Sequence, residues 1–338
     1  MPDGGDGRKR FKHPYPKKVQ YQIIQEMKDK YQQRRLVLFC RLFGVTTQAF
    51  YRHSWRKETI GIEEDLIVKQ IKLIRQKHPV LGGRKLFELL HPFMLEHGIK
   101  MGRDALFDVL AYHHLLIKRR KRTIATTQSY HRFRKYPNSI RNILLTHINQ
   151  LWVSDLTYFK IKQKPVYISF IMDAYSKKIV GYQLAQTMEA IHTQNALKMA
   201  LKNNPLPPQH QLIHHSDRGT QYCCDEYIKI LAKKHIQISM TENGDPLENA
   251  IAERLNGIIK KEYLEHYTYK KIPELQHRLD LAVNLYNTER PHLSCNMLTP
   301  EWVHKNKLTT TKNWKNYYTG KTKPKTTEAM EIKTNNNI

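Results

Sequence analysis

Residues 151–159 read LWVSDLTYF. Trp152, Ser154, Leu156 and Tyr158 alternate with Val153, Asp155, Thr157 and Phe159, the two-residue period of a β-strand. Much of the chain before this stretch instead carries apolar residues at three- and four-residue spacing, the period of helices. An α/β domain therefore starts here, behind an all-α front half. One residue of the strand stands out. Asp155 is a carboxylate flanked by apolar and hydroxyl side chains. In a central strand such a group is costly unless it is paired or bound to a metal ion.

Downstream, Lys164-Pro165 marks a turn, Val166 to Asp173 reads as a second strand and Lys178 to Leu184 as a third. Three strands with short connections predict an antiparallel meander. A helix follows over about Glu189 to Leu201 and ends before Pro205, Pro207 and Pro208. Gln211 to Ser216 is a short apolar strand, Asp225 to Lys234 a helix, Ile236 to Met240 a strand, and Glu248 to Glu265 a long helix. The order is βββαβαβα, a mixed sheet in an α/β core over residues 148–270. A helix from about Pro273 to Asn287 belongs to a C-terminal helical brace over 271–304, and the Lys-, Thr- and Asn-rich tail over 305–338 is expected to be disordered.

Two further acids complete a constellation. Asp217 ends the short strand in HHSDRG, residues 214–219. A strand end before a glycine is where α/β folds place ligands. Glu253 follows after 35 intervening residues, on the long helix. Asn249, Glu253, Asn256 and Lys260 share one face of that helix, polar where a core-facing stripe would be apolar. Singly, each acid is readily explained by a salt bridge with one of the many basic residues. Jointly, carboxylates from a strand, a strand end and a helix suit hard divalent cations, which prefer oxygen ligands. Two Mg²⁺ ions about 4 Å apart serve phosphoryl transfer, one activating the attacking oxygen and the other stabilising the leaving oxygen. Lys260, two turns beyond Glu253, is placed to hold a phosphate nearby. Asp173, at the end of the second strand, reads as a supporting or structural acid.

The whole chain has 338 residues with 57 Lys and Arg against 30 Asp and Glu, a net charge of +27. Residues 1–150 hold 31 basic and 12 acidic side chains, residues 151–338 hold 26 and 18. A front half this basic predicts a polyanion partner, with a merely soluble basic protein as the alternative. The 40% hydrophobic content excludes a wholly disordered chain. No apolar run has bilayer length, and none follows the basic N-terminus, which argues against membrane and export readings. Four cysteines (Cys40, Cys223, Cys224 and Cys295) contain no Cys-x-x-Cys pair, so a disulfide framework or structural zinc site is not expected. A reducing cytoplasm is the simplest compartment.

Within the front half, residues 1–18 read as a flexible basic N-terminus. Over 19–60, Leu36, Phe39, Cys40 and Phe43 form one helical face, Gly44 permits a turn, and Thr46 or Thr47 caps a helix carrying Phe50, Tyr51 and Arg52. This pattern predicts a helix-turn-helix. Over 61–117 a second trihelical unit is expected. Its first helix is lined by Leu66, Ile67, Ile71 and Ile74, and its second starts at Gly82-Gly83-Arg84-Lys85 with Leu86, Leu89, Leu90 and Phe93. Its third follows Gly98 and has Arg103 near its start. A basic linker over 118–147 opens with Lys118, Arg119, Arg120, Lys121 and Arg122. These five, with Arg52, Arg84, Lys85, Arg103, Asn249 and Lys260, are the candidate DNA contacts.

Three blocks, WVSDLTY (152–158), HSDRGTQY (215–222) and ENAIAER (248–254), resemble the catalytic blocks of DDE transposases. The group they resemble is the bacterial insertion-sequence transposases with a retroviral-integrase-like core, whose typical spacing between the second Asp and the Glu is also the 35 residues found here. YNTERPH (286–292) followed by Thr299-Pro300, the stretch from Leu42 to Arg52, and Gly82 to Lys85 are similar to that group as well. The resemblance implies an RNase H-like core behind helix-turn-helix units and two Mg²⁺ ions, with Mn²⁺ as a possible substitute. It assigns Asp155, Asp217 and Glu253 as catalytic metal ligands and Lys260 as the basic position beyond the Glu. His215, Gly219 and Asn249 match motif positions. It further implies a recombinase that binds terminal inverted repeats, nicks DNA with water and joins it through a 3′-hydroxyl. Such an enzyme works on double-stranded DNA as at least a homodimer, with a possible helix-turn-helix partner from an upstream reading frame. Three features depart from relatives: the His-His-Cys-Cys zinc unit of retroviral integrases is missing, Glu248 replaces the usual Asp, and Leu293-Ser294-Cys295-Asn296 differs from the common small-residue pattern. The alternatives are a catalytically silent, repurposed sequence-specific DNA-binding protein and a ribonuclease on the same fold.

Overall fold

The computed structural model describes residues 17–31, 35–117, 133–141, 143–162, 164–242 and 249–306. The basic run Lys118 to Arg122, Glu248 and the polar tail from residue 307 lie outside the described residues. The chain forms two compact units, one from Met1–Ile74 and Leu90–Leu116, the other from Arg75–Leu89 and Ile117–Ile338.

In the first unit, α1 (Lys17–Lys30), α2 (Leu36–Leu42) and the start of α3 (Thr47–Lys77) close around Ile24, Phe39, Cys40 and Phe50. Between α2 and α3, Gly44 takes φ +65°, a conformation open to glycine at no steric cost. Thr46 Oγ1 then accepts from the Ala49 N–H at 3.1 Å and caps α3. The helix, glycine turn and helix expected from the sequence are present. The boundary expected near residue 60 is not a break, because α3 runs unbroken for 31 residues. Gly61 is the one punctuating residue there, and a lone glycine costs a helix only about 1 kcal/mol. α4 (Gly83–Glu96) and α5 (Arg103–Tyr112) follow. The buried stripe of α4 is Leu86, Leu90 and Met94, with Leu89 and Phe93 on its flanks.

The second unit holds the sheet. β1 (Leu151–Ile161), β2 (Lys164–Asp173) and β3 (Ile179–Ala185) form an antiparallel meander. α6 (Ala190–Asn203) leads to β4 (Ile213–Ser216), and α7 (Thr220–Cys223) with α8 (Asp225–Lys233) leads to β5 (Gln237–Met240). The sheet order is β3-β2-β1-β4-β5, with β4 parallel to β1 and β5 parallel to β4. This is the mixed sheet of an RNase H-like core, and β1 is its central strand.

The alternation of β1 sorts its side chains into two layers. Trp152 faces α6 and α8 in a cluster with Ile171, Val180, Ala196, Leu197 and Tyr227. Leu151 and Val153 face the opposite layer, made by α9 (Ala250–Ile258) and α10 (Ile272–Thr288) through Leu255, Leu279 and Tyr286. Asp155 has the parity of the second group, so it points toward α9. On β3, a Cβ at Gly181 would lie 2.2 Å from the Ala196 carbonyl oxygen and 2.9 Å from the Ala200 Cβ. Only glycine lets α6 pack this closely on the sheet.

The single long helix expected to Glu265 is interrupted. α9 passes at Ile259–Leu264 into a π-helical turn, in which the Glu265 N–H donates to the Lys260 carbonyl at 2.8 Å. Hydrophobic periodicity does not reveal such a one-residue shift, because tertiary partners of the turn hold it. The C-terminal brace consists of α10, a short 3₁₀ turn and α11 (Pro300–Asn306). Asp173 is fully buried and structural. One of its oxygens accepts from the Ser176 N–H and hydroxyl, both at 2.7 Å, and the other from the Asn149 N–H at 2.6 Å. The Ser176 hydroxyl lies 3.0 Å from His304 Nδ1 and so ties in α11. Among the described residues, no helix is long and apolar enough to cross a membrane.

Candidate active site

Asp155 sits in mid-β1, opposite Phe170 of β2. Its Oδ1 accepts from the Leu156 N–H at 2.9 Å and its Oδ2 from Asn256 Nδ2 at 2.7 Å. Burial, with the charges of Asp217 and Glu253, pushes its carboxyl up to about 8, although both hydrogen bonds favour the charged form. The parallel register explains the first neighbour. Val153 pairs with His215, so two residues further on Asp217 comes alongside Asp155. The Gly219 N–H holds Asp217 Oδ1 at 3.0 Å, and a Cβ at Gly219 would press on that same oxygen at 3.0 Å. His215 Nδ1 lies 2.9 Å from Ser239 Oγ and ties β4 to β5 beneath the site.

Glu253 stands in the first turn of α9, on its exposed side. The rest of the polar face expected around it lies along β1. Asn249 Nδ2 donates to the Ser154 carbonyl at 3.2 Å, Asn256 reaches Asp155, and Lys260 Nζ reaches Thr157 Oγ1 at 3.4 Å. The Lys260 ammonium also sits 5.0 Å from the Tyr158 ring centre, and burial lowers its proton affinity. Asn256 was not among the candidate site residues, yet it is the direct partner of Asp155. Its signal was its place on the Glu253 face.

The donor set fits hard divalent cations. Its acids offer carboxylate oxygens, and the charges of Asp217 and Glu253 act on an Asp155 carboxyl that burial already disfavours as an anion. Asn256 Oδ1 is a further buried acceptor without a hydrogen-bond partner, beside Asp155. Among the described residues, no three His, Cys, Asp or Glu side chains are gathered tightly enough to ligate one ion as they stand.

The other candidates are dispersed. Arg52 on α3 and Arg103 at the start of α5 are exposed in the first unit, Arg103 paired with Asp104 at 2.7 Å. In the second unit Arg84 is exposed, whereas Lys85 turns into the fold. Burial, Arg290 and Arg254 push the Lys85 ammonium down to about 7 against the pull of Glu262.

The integrase core domain family matches residues 146–246, and a second integrase core domain description matches 234–300. The insertion element IS600 31 kDa protein of Shigella sonnei is 31% identical over 265 residues, covering 77% of this chain and 95% of that protein. This chain belongs to the insertion-sequence transposases with a retroviral-integrase-like core. The transposase for insertion sequence element IS629 of Shigella sonnei is 29% identical over 240 residues, 70% of this transposase and 78% of that one. Among solved structures, the HTLV-2 integrase catalytic core domain in complex with magnesium is 21% identical, with a TM-score of 0.38, covering 46% of this transposase and 96% of that chain.

Proposed function

We propose that this transposase binds the terminal inverted repeats of its element and catalyses divalent-metal-dependent DNA strand cleavage and strand transfer through Asp155, Asp217 and Glu253. The observation that carries the reading is the inward-facing Asp155 carboxyl, raised by burial beside two like charges. Bound cations relieve such a cluster. Mg²⁺, or Mn²⁺ in its place, would be held by the three carboxylates and would supply the charge that activates the attacking oxygen and stabilises the leaving one.

The chain's own residues set the stage for that chemistry. Asn256 keeps Asp155 Oδ2 in place, and the Gly219 N–H does the same for Asp217 Oδ1. Asn249 anchors the start of α9, the helix that carries Glu253, to β1. Lys260 offers a cation to a phosphate oxygen next to Thr157. The basic front half supplies salt-sensitive affinity for the DNA backbone. Joining two element ends calls for at least a dimer on DNA, acting at the nucleoid, with an upstream-frame helix-turn-helix protein as a possible partner.

The test is Asp217→Asn, assayed on duplexes carrying the element ends in Mg²⁺. Cleavage and joining should be lost while DNA affinity stays within about twofold, since no phosphate contact is removed. Full Mg²⁺-dependent joining by this variant would refute the assignment.

A further inference from the structure

We propose that Arg290, through its ion pair with Glu262, is a positioning residue that sets where Lys260 rests on β1. Arg290 follows α10 in the YNTERPH segment, which the reaction as described does not use. Its side chain is 1% exposed, and Nε and Nη2 donate to the two oxygens of Glu262 at 2.8 and 2.7 Å. Such a two-pronged, charge-assisted contact fixes both distance and orientation.

Glu262 lies within the π-helical turn at Ile259–Leu264, two residues after Lys260. The next residue, Tyr263, is also held, its hydroxyl 3.0 Å from Nδ1 of the buried His78. The turn is therefore clamped on one side by Arg290 and His78, while Lys260 leaves it toward Thr157 and Tyr158. An α-helix advances about 100° per residue, so the extra residue of a π turn rotates everything beyond it by roughly that angle. Relaxed to α geometry, the segment could not keep Glu262 and Tyr263 on their partners and Lys260 on β1 together. The contacts of Lys260 itself are long, at 3.4 Å to the hydroxyl and 5.0 Å to the ring centre, and do not hold the turn. The Glu262 pair and the His78 contact do. Arg290 sets this geometry in the free protein, and the consequence for DNA rests on the proposed role of Lys260 as a phosphate contact.

The experiment compares wild type with Lys260→Ala, Arg290→Met and the double variant, with Glu262→Gln as a second way to break the pair should Arg290→Met not fold. In the free protein, amide exchange over residues 259–265 should quicken about tenfold in Arg290→Met or Glu262→Gln while β1 and α10 stay protected. On DNA, Lys260→Ala should lower affinity about fivefold and reduce the magnitude of the salt slope by about one. Arg290→Met should do the same, and the double variant should lose nothing further. Additive losses in the double variant, or faster exchange spread evenly over the whole second unit, would show that Arg290 only stabilises the fold and would overturn the proposal. Should Lys260→Ala leave affinity and salt slope unchanged, the phosphate role of Lys260 falls, and the exchange measurement alone decides whether Arg290 positions the turn.

Discussion

Replacing Asp155 by asparagine should stabilise the metal-free protein at pH 8 and change little near pH 4. The carboxyl is pushed from an ordinary 3.8 up to about 8 by burial and by Asp217 and Glu253. A carboxyl raised in the folded state keeps its proton there after the unfolded chain has released it. Stability is therefore full below about pH 4, falls as pH rises from about 4 to 8, and is flat above. Roughly four pH units at about 1.4 kcal/mol each set a ceiling of ~5–6 kcal/mol. Asp155 is only half-buried as a residue and Glu253 is exposed, so solvent and side-chain movement bring the expected gain down to about 1–3 kcal/mol. The substitution is nearly isosteric. The Leu156 N–H keeps an oxygen acceptor, and Asn256 can flip its amide so that Oδ1, which has no partner now, accepts from the new amide. The assay is urea unfolding in EDTA at pH 5 and pH 8, repeated with Mg²⁺. Wild type should gain stability from Mg²⁺ and the variant should gain less. A variant less stable than wild type at pH 8 in EDTA, or an advantage equal at both pH values, would refute the reasoning.

Two further outcomes follow from named contacts. Gly181→Ala should destabilise the second unit by about 1–3 kcal/mol or more in urea unfolding, because its Cβ meets a backbone oxygen that cannot turn aside. Asn256→Ala frees Asp155 Oδ2, so joining activity should fall about tenfold and need more Mg²⁺, with DNA affinity unchanged; an unaltered Mg²⁺ titration would remove Asn256 from the site.

The sheet was legible because its strands carry their own signal. The alternation in LWVSDLTYF and the short connections after it produce the meander that is observed, and the apolar runs ending at Ser216 and Met240 become β4 and β5. Gly44 and Thr46 marked the turn of the helix-turn-helix for local reasons, a left-handed φ and a side-chain cap. Other features were hidden because their causes are distant in the chain. The helical units over 19–60 and 61–117 read as separate, yet α3 runs through the boundary between them. Lys85 read as an open DNA contact, yet its surroundings include Arg254, Glu262 and Arg290, each more than 160 positions away.

From the sequence alone came the element order, the three acids, their 35-residue spacing and the polar face of the helix bearing Glu253, all of which depend on local periodicity and residue chemistry. Tertiary structure alone decided that Asp217 lies beside Asp155, through the parallel pairing of β4 with β1, and that Asn256 holds Asp155. It also decided the π turn, clamped by Arg290 and His78, which lie far apart in the chain. The physical reason is the same in each case. A residue's period is written in its neighbours along the chain, whereas its hydrogen-bond partner and its electrostatic surroundings are set by segments that meet only on folding.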